Sequence, residues 1–285
     1  SEFITMSVDK IDLEALRVEA SPEVTLLNLE DYKVLPTDKI ERPKPLLSII
    51  EGNTKKDLLK LSSVSLLYGQ EKSRKSTFLR AIVQGVIKGY NEKLKCEFKD
   101  VDACIIDTEQ NRDEIQFSLQ SIKYLSGKYI DYYSFVELAF KDKMALTEQY
   151  LDRHPNTKLL IIDNLSDFLS DFNSNVESQL VFNWLLGIAN KYEIHIITVM
   201  HQNSSGESKK PTGFLGTIAL RKCNLVMRIE EKHDTDNTSL IECYRARGKK
   251  FKKFKLTVDG FGNPYLYDLS PMELEDITPQ KVTRY

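Results

Sequence analysis

Gly69-Gln70-Glu71-Lys72-Ser73-Arg74-Lys75-Ser76-Thr77 is the stretch whose residue types and spacing point most directly to chemistry. An apolar run (Val64, Leu66, Leu67) leads into it, and a helical pattern follows. Strand, small polar loop and helix is the order a nucleoside triphosphate site needs, because unpaired N–H groups at a helix start face anionic oxygens. Gly69, Gln70, Glu71, Lys72, Ser73, Arg74, Lys75, Ser76 and Thr77 are therefore candidate nucleotide-binding residues. Lys75 would neutralise phosphate oxygens, and the Ser76 hydroxyl would ligate Mg²⁺. One position departs from the usual G-x-x-x-x-G-K-[ST] spacing: Arg74 stands where the second glycine belongs.

Two acids follow at the ends of apolar runs. Leu159-Leu160-Ile161-Ile162-Asp163 delivers a carboxylate to the carboxyl edge of a strand, where α/β proteins bind ligands, and Asp163 would hold the metal opposite Ser76. Ile105-Ile106-Asp107-Thr108-Glu109 offers a second, with Glu109 either a base that polarises an attacking water or a first-turn helix acid. In Met200-His201-Gln202-Asn203 a Gln or His at a strand end is either a γ-phosphate sensor or structural, and Gln202 is the candidate. Lys209 and Lys210, in the polar loop 203–212 before Gly213-Phe214-Leu215-Gly216, are candidates for gripping a phosphate backbone; an ordinary surface loop is the alternative. Arg245 and Arg247 share a face if their segment is a strand, and could reach a neighbouring subunit's γ-phosphate. The lysines from Lys249 to Lys255, interleaved with Phe251 and Phe254, read as a nucleic-acid surface or, preferably, as the solvated face of an edge strand.

The elements that must position these residues can be read in outline. Short apolar strands are expected at 64–68, 103–107, 130–135, 159–163 and 194–199, alternating with helices at 76–90, after 107, at 143–153 and at 176–192. Uniformly apolar strands between helices indicate a parallel sheet covered on both faces. Leu225–Ile229, Ser239–Tyr244, Lys253–Val258 and Pro264–Tyr267 follow in quick succession with Asp259-Gly260 and Gly262-Asn263 turns. They are expected as antiparallel strands added at the C-terminal edge. Residues 1–58 read as an irregular arm and lead-in, with an apolar patch at Ile11, Leu13, Leu16 and Val18. Residues 59–269 read as the α/β domain and 270–285 as a polar tail. Ser1-Glu2-Phe3 within residues 1–5 has the look of an expression remnant, which makes Met6 the expected native start, and no signal-peptide pattern is present.

Composition narrows the class. The 285 residues are 41% hydrophobic and 29% charged, enough for one large core. A formal net charge of −2 gives no global attraction to nucleic acid, so any such contact must come from a local patch. Cys96, Cys104, Cys223 and Cys243 form no C-x-x-C pair and read as reduced thiols, with a cytoplasmic location expected. No apolar run approaches the ~18 residues of a membrane span.

Taken together, Gly69–Thr77 as Walker A, Glu109 as a strand-end glutamate, Leu159–Asp163 as Walker B, His201-Gln202-Asn203 as a sensor and Arg245-Ala246-Arg247 as a finger pair resemble the RecA-like P-loop ATPases. The likeness is to the RepA/DnaB type of hexameric helicase and to AAA-type ATPases of plasmids and mobile elements, and it spans about Leu61 to Tyr267. It implies a RecA-like fold, ATP and Mg²⁺ bound between subunits, and assembly into a ring, usually a hexamer. It also implies action on single-stranded DNA as a replicative or mobile-element helicase. In such a site Arg74 either crowds the nucleotide or adds a positive charge. The alternative is a DNA-binding, loader or regulatory protein of this fold with weak or no ATP turnover because of Arg74.

Overall fold

Four consecutive apolar side chains, Leu159 to Ile162, can all be buried only if both faces of their strand are covered. The computed structural model, which describes residues 28–203, 209–232 and 237–277, meets that condition. Leu159 and Ile161 join one apolar layer, and Leu160 and Ile162 the other, as the two-residue period of a strand requires.

The chain divides into two compact units, Ser1–Arg42 and Pro43–Tyr285. In the first, the described residues include a 3-10 turn, Leu29–Tyr32, started by the Asn28 side chain, which accepts from the Glu30 N–H at 3.1 Å. The expected apolar patch at Ile11–Val18, the remnant at residues 1–5 and the start at Met6 lie outside the described residues.

The second unit holds strands β1 (Pro45–Glu51), β2 (Thr54–Lys60), β3 (Ser63–Gly69), β4 (Leu94–Lys95), β5 (Asp102–Asp107) and β6 (Asp131–Ser134). It continues with β7 (Thr157–Asp163), β8 (His195–His201), β9 (Leu225–Glu231), β10 (Thr238–Ala246), β11 (Phe254–Val258) and β12 (Pro264–Asp268). The helices are α1 (Lys75–Ile87), α2 (Arg112–Ser126), α3 (Phe140–Arg153), α4 (Asn175–Lys191), α5 (Gly213–Lys222) and α6 (Pro271–Ile277). One sheet runs in the order β12-β11-β10-β9-β3-β8-β7-β5-β6. From β9 to β6 all neighbours are parallel, and from β9 to β12 all are antiparallel. A second, antiparallel sheet has the order β2-β1-β4. Helix α1 and this small sheet cover one face of the large sheet, and residues of α3, α4 and α5 cover the other. The mostly parallel core with antiparallel strands at its C-terminal edge is the architecture expected from the sequence.

Four details differ. Residues 45–60, expected to be irregular, form the β1–β2 hairpin, and its Leu46, Leu47, Ile49, Leu58 and Leu59 are buried in the core. Leu225–Glu231 is not an edge strand: it lies inside the sheet, parallel to β3, and only β10 to β12 form the antiparallel extension. Gly213–Gly216 opens helix α5, whose Leu215 and Ile218 are buried beneath the sheet. Part of the expected tail is helical (α6), and residues 278–285 lie outside the described residues. Among the described residues no helix is long and apolar enough to cross a membrane.

Candidate nucleotide site

Strand β3 ends at Gly69, and helix α1 begins at Lys75. Parallel pairing sets Gly69 level with His201 on β8 and with Ile229 on β9. A side chain at Gly69 would place its Cβ 2.3 Å from the Ile229 carbonyl oxygen and 2.8 Å from Ser73 Oγ, so the loop closes this tightly only around a glycine. The Ser73 hydroxyl donates to the Gln70 carbonyl at 2.7 Å and braces the turn.

The residues after that turn converge on a cleft of about 560 Å³ at the carboxyl edge of the sheet. Glu71, Lys72, Arg74, Lys75, Ser76, Thr77, Glu109, Asp163 and His201 line it. Lys75, on the first turn of α1, donates from Nζ to the Gln70 carbonyl at 2.7 Å and to the Gly69 carbonyl at 3.2 Å, and Nζ lies 3.4 Å from His201 Nδ1. Burial pulls its ammonium below the ordinary lysine range, against the opposing pull of Asp163, Glu109 and Glu71.

The acids arrive from neighbouring strands. β5 and β7 pair Asp107 with Asp163. Asp107 turns inward: Oδ1 accepts the Glu109 and Gln110 N–H groups at 2.9 and 2.7 Å, and Oδ2 accepts the Tyr132 hydroxyl at 2.9 Å. That carboxylate shapes the loop that presents Glu109. Asp163 Oδ2 lies 3.5 Å from the Ser76 hydroxyl, which also accepts from Gln110 Nε2 at 3.0 Å. Burial, then the nearby Asp107 and Glu109 carboxylates, push Asp163 up to about 7. A crowded set of acids balanced by one ammonium suits a cation. Among the described residues no three His, Cys, Asp or Glu side chains form an all-protein cage. Mg²⁺, which keeps several waters and takes few protein ligands, fits the Ser76–Asp163 pair better than a cage-bound metal would.

Glu109 is held on two sides. Its Oε1 accepts from Asn164 Nδ2 at 2.8 Å and lies 3.0 Å from His201 Nε2. The His201 contact chiefly lowers the Glu109 carboxyl, and the same contact raises the imidazole. Asn164 follows Asp163 through a cis peptide bond.

The structure thus brings Lys75, Ser76, Glu109 and Asp163 together and sorts the remaining candidates differently. Gln202 does not line the cleft: its Oε1 accepts from Arg228 Nε at 3.3 Å, and Arg228 also pairs with Glu230 and Glu242. Adjacent residues of a strand point to opposite faces, and it is His201 that faces the phosphate loop. Arg74 takes the left-handed conformation expected of glycine, with φ +70°. Its guanidinium leads away to Glu231 at 3.1 Å, the Thr238 carbonyl at 3.3 Å and Ser239 Oγ at 3.2 Å. Lys209 pairs with Glu230 at 3.1 Å and Lys210 is exposed, while residues 204–208 of that loop lie outside the described residues. Arg245 and Arg247 sit away from this cleft and donate to the Leu220 and Lys222 carbonyls at the C-terminal end of α5. A bulge after Cys243 and the end of β10 at Ala246 interrupt the strand spacing assumed for them. Sequence reasoning set His201 behind Gln202 and passed over Asn164 and Gln110. Only the helix-opening position of Gln110 and the Asp163-Asn164 adjacency pointed to the last two.

Residues 23–207 match a family described as the AAA domain, more than half of the chain. The chain belongs to the AAA domain family. Among solved structures, this AAA domain is similar to the ATPase domain of a DnaB-like helicase, with a TM-score of 0.55 at 11% identity over 73% of this chain and 85% of that one. It is also similar to the RadB recombinase, with a TM-score of 0.53 at 16% identity over 74% of this chain and 92% of that one. At these identities the likeness is one of fold, and the fold is RecA-like. No curated protein sequence matches the AAA domain chain.

Proposed function

We propose that this AAA domain protein is an ATP-hydrolysing, Mg²⁺-dependent motor that acts on single-stranded DNA as a helicase or translocase. In this reading it works in the cytoplasm as a ring, and the ring is a hexamer. The observation that carries the reading is the convergence of Lys75, Ser76, Glu109 and Asp163 on one cleft. ATP with Mg²⁺ would supply the phosphoanhydride whose cleavage drives motion. Lys75, close to the loop carbonyls, is placed to shift its donors onto phosphate oxygens. Ser76 and Asp163 face each other as the metal-holding pair. Glu109, its carboxyl lowered and therefore ionised at neutral pH, orients and accepts a proton from the attacking water. His201 takes the sensor part first expected of Gln202, because it contacts both Glu109 and Lys75. Arg245 and Arg247, exposed and away from their own cleft, suit completion of a neighbour's cleft.

DNA-stimulated ATP turnover tests this reading. Lys75→Ala and Glu109→Gln should each lower kcat about 100-fold or more; unchanged turnover would sink the assignment. Light scattering should show a ring-sized mass with nucleotide. A non-hydrolysing scaffold is the rival that Arg74 suggests, but its side chain leads out of the cleft toward Glu231. Calorimetry with Mg·ATP that showed no heat at millimolar nucleotide would favour that rival.

A further inference from the structure

A second opening lies at the other end of the parallel strands. Strand β3 runs from Ser63 to Gly69, about 20 Å at strand rise, so its amino edge is well separated from the nucleotide cleft. Beside that edge, β2, the start of β9 and the loop after β10 enclose a groove of about 680 Å³. Lys55, Lys56 and Lys60 stand on the β2 side and Lys249 on the other, with Asp57 as the acid among the lining residues. The exposed Arg247, Lys250 and Lys252 follow the same loop.

The lysines differ in how far they are neutralised. Lys55 pairs with Glu97 at 2.5 Å, Lys56 with Glu51 at 2.5 Å and Lys60 with Asp57 at 3.4 Å. Among the described residues, the Lys249 and Lys252 side chains make no hydrogen bond or ion pair. The loop itself is tied in place, because Lys56 Nζ donates to the Lys250 carbonyl at 3.0 Å and the Lys252 N–H donates to Glu51 at 2.5 Å. A chain with a net charge of −2 therefore carries a local excess of ammonium groups on two braced walls.

We propose that this groove binds the phosphate backbone of a nucleic acid, at a site separate from the nucleotide cleft and from the 209–210 loop. Ammonium groups on facing walls match a line of repeating negative charge, and lysine meets phosphate as a point charge without reading sequence. An acidic polypeptide is the poorer fit. Leu58, Leu225 and Phe251, the large apolar groups of the lining, are at most 6% exposed and give a peptide no anchor. With Phe251 buried there is no open ring for base stacking either, so the contact is with the backbone and tolerates any sequence.

The experiment is anisotropy of a fluorescent oligo-dT 30-mer and of a duplex of equal length, titrated with the full chain without nucleotide at several salt concentrations. Omitting nucleotide separates this proposal from the ATPase reading: loss of turnover in Lys75→Ala leaves it untouched. Lys55→Glu with Lys249→Glu should weaken binding at least 10-fold and flatten the salt dependence, each lost phosphate contact removing about 0.7 to 0.9 from the logarithmic slope. Thermal melting of each variant checks that it is folded. Lys252→Ala, exposed and without a side-chain partner, should weaken binding in the same direction without disturbing the fold. The proposal is overturned if these folded variants bind like the parent, if only Lys209→Glu with Lys210→Glu weakens binding, or if poly-glutamate competes as well as oligo-dT at equal charge.

Discussion

Arg74 shows how one residue can break a motif and still keep its geometry. A left-handed backbone costs a residue with a Cβ about 1–2 kcal/mol relative to glycine. Here the side chain is anchored to Glu231, the Thr238 carbonyl and Ser239, so the loop keeps the bend and β9–β10 hold the arginine clear of Lys75. Arg74→Gly removes the strain and the anchor together. A partly exposed ion pair contributes about 0–1 kcal/mol, so the two effects nearly cancel. The denaturant midpoint of Arg74→Gly should therefore lie within about 1 kcal/mol of the parent. A loss above about 2 kcal/mol would mean that the anchor dominates. At this scale Lys75, Ser76, Glu109 and Asp163 were legible because each ends or begins an element whose local pattern is strong. His201 was not distinguished from Gln202, because the pattern shows that neighbours point oppositely but not which one faces the loop.

The hairpin β1–β2 is the element the sequence concealed. Only the C-terminal end of β2 is buried, so Lys55, Lys56 and Asp57 erase the alternation by which a half-buried strand is recognised. Leu47, fully buried on β1, packs in the same layer as α1. Leu47→Ala should cost about 2–5 kcal/mol, read from equilibrium urea unfolding. A cost under about 1 kcal/mol would make the hairpin an appendage with no share in the core. Strand β9 was misplaced for a related reason. Its residues fit either a sheet edge or a sheet interior, and pairing with β3, distant in sequence, decides between them. Helix α5 escaped notice because Gly213 and Gly216 read as loop residues. Yet Gly216 is where the helix passes within 2.6 Å (from its would-be Cβ) of the Pro211 carbonyl, and that closeness demands a small residue.

Across the whole molecule, burial of the parallel sheet carries a pH dependence. His195 is completely buried at the start of β8. Its Nδ1–H donates to the Lys60 carbonyl at 2.7 Å, while Nε2 has no partner. A proton on Nε2 would put a charge where nothing receives it, and burial lowers the imidazole from 6.5 to about 4. The unfolded chain therefore takes up a proton first as pH falls. This contribution is intact above pH 6.5 and is lost progressively from there down to about 4, at about 1.4 kcal/mol per pH unit. Urea unfolding at about pH 7, 5.5 and 4.5 should show that slope, and His195→Gln should flatten it. An equal slope in the variant would assign the acid sensitivity to other groups.

By itself the sequence determined the phosphate loop, the acids at the ends of β5 and β7, and an α/β core with a parallel sheet. Those features rest on local order: apolar runs, helical periods and polar residues at element ends, all within a few neighbours along the chain. Tertiary structure alone decided that His201 and not Gln202 faces Lys75, that β9 lies inside the sheet, and that lysines from β2 meet those after β10 across one groove. Each of these depends on strand order and register, set by pairing between segments far apart in sequence, for which a single chain read in order carries no local signal.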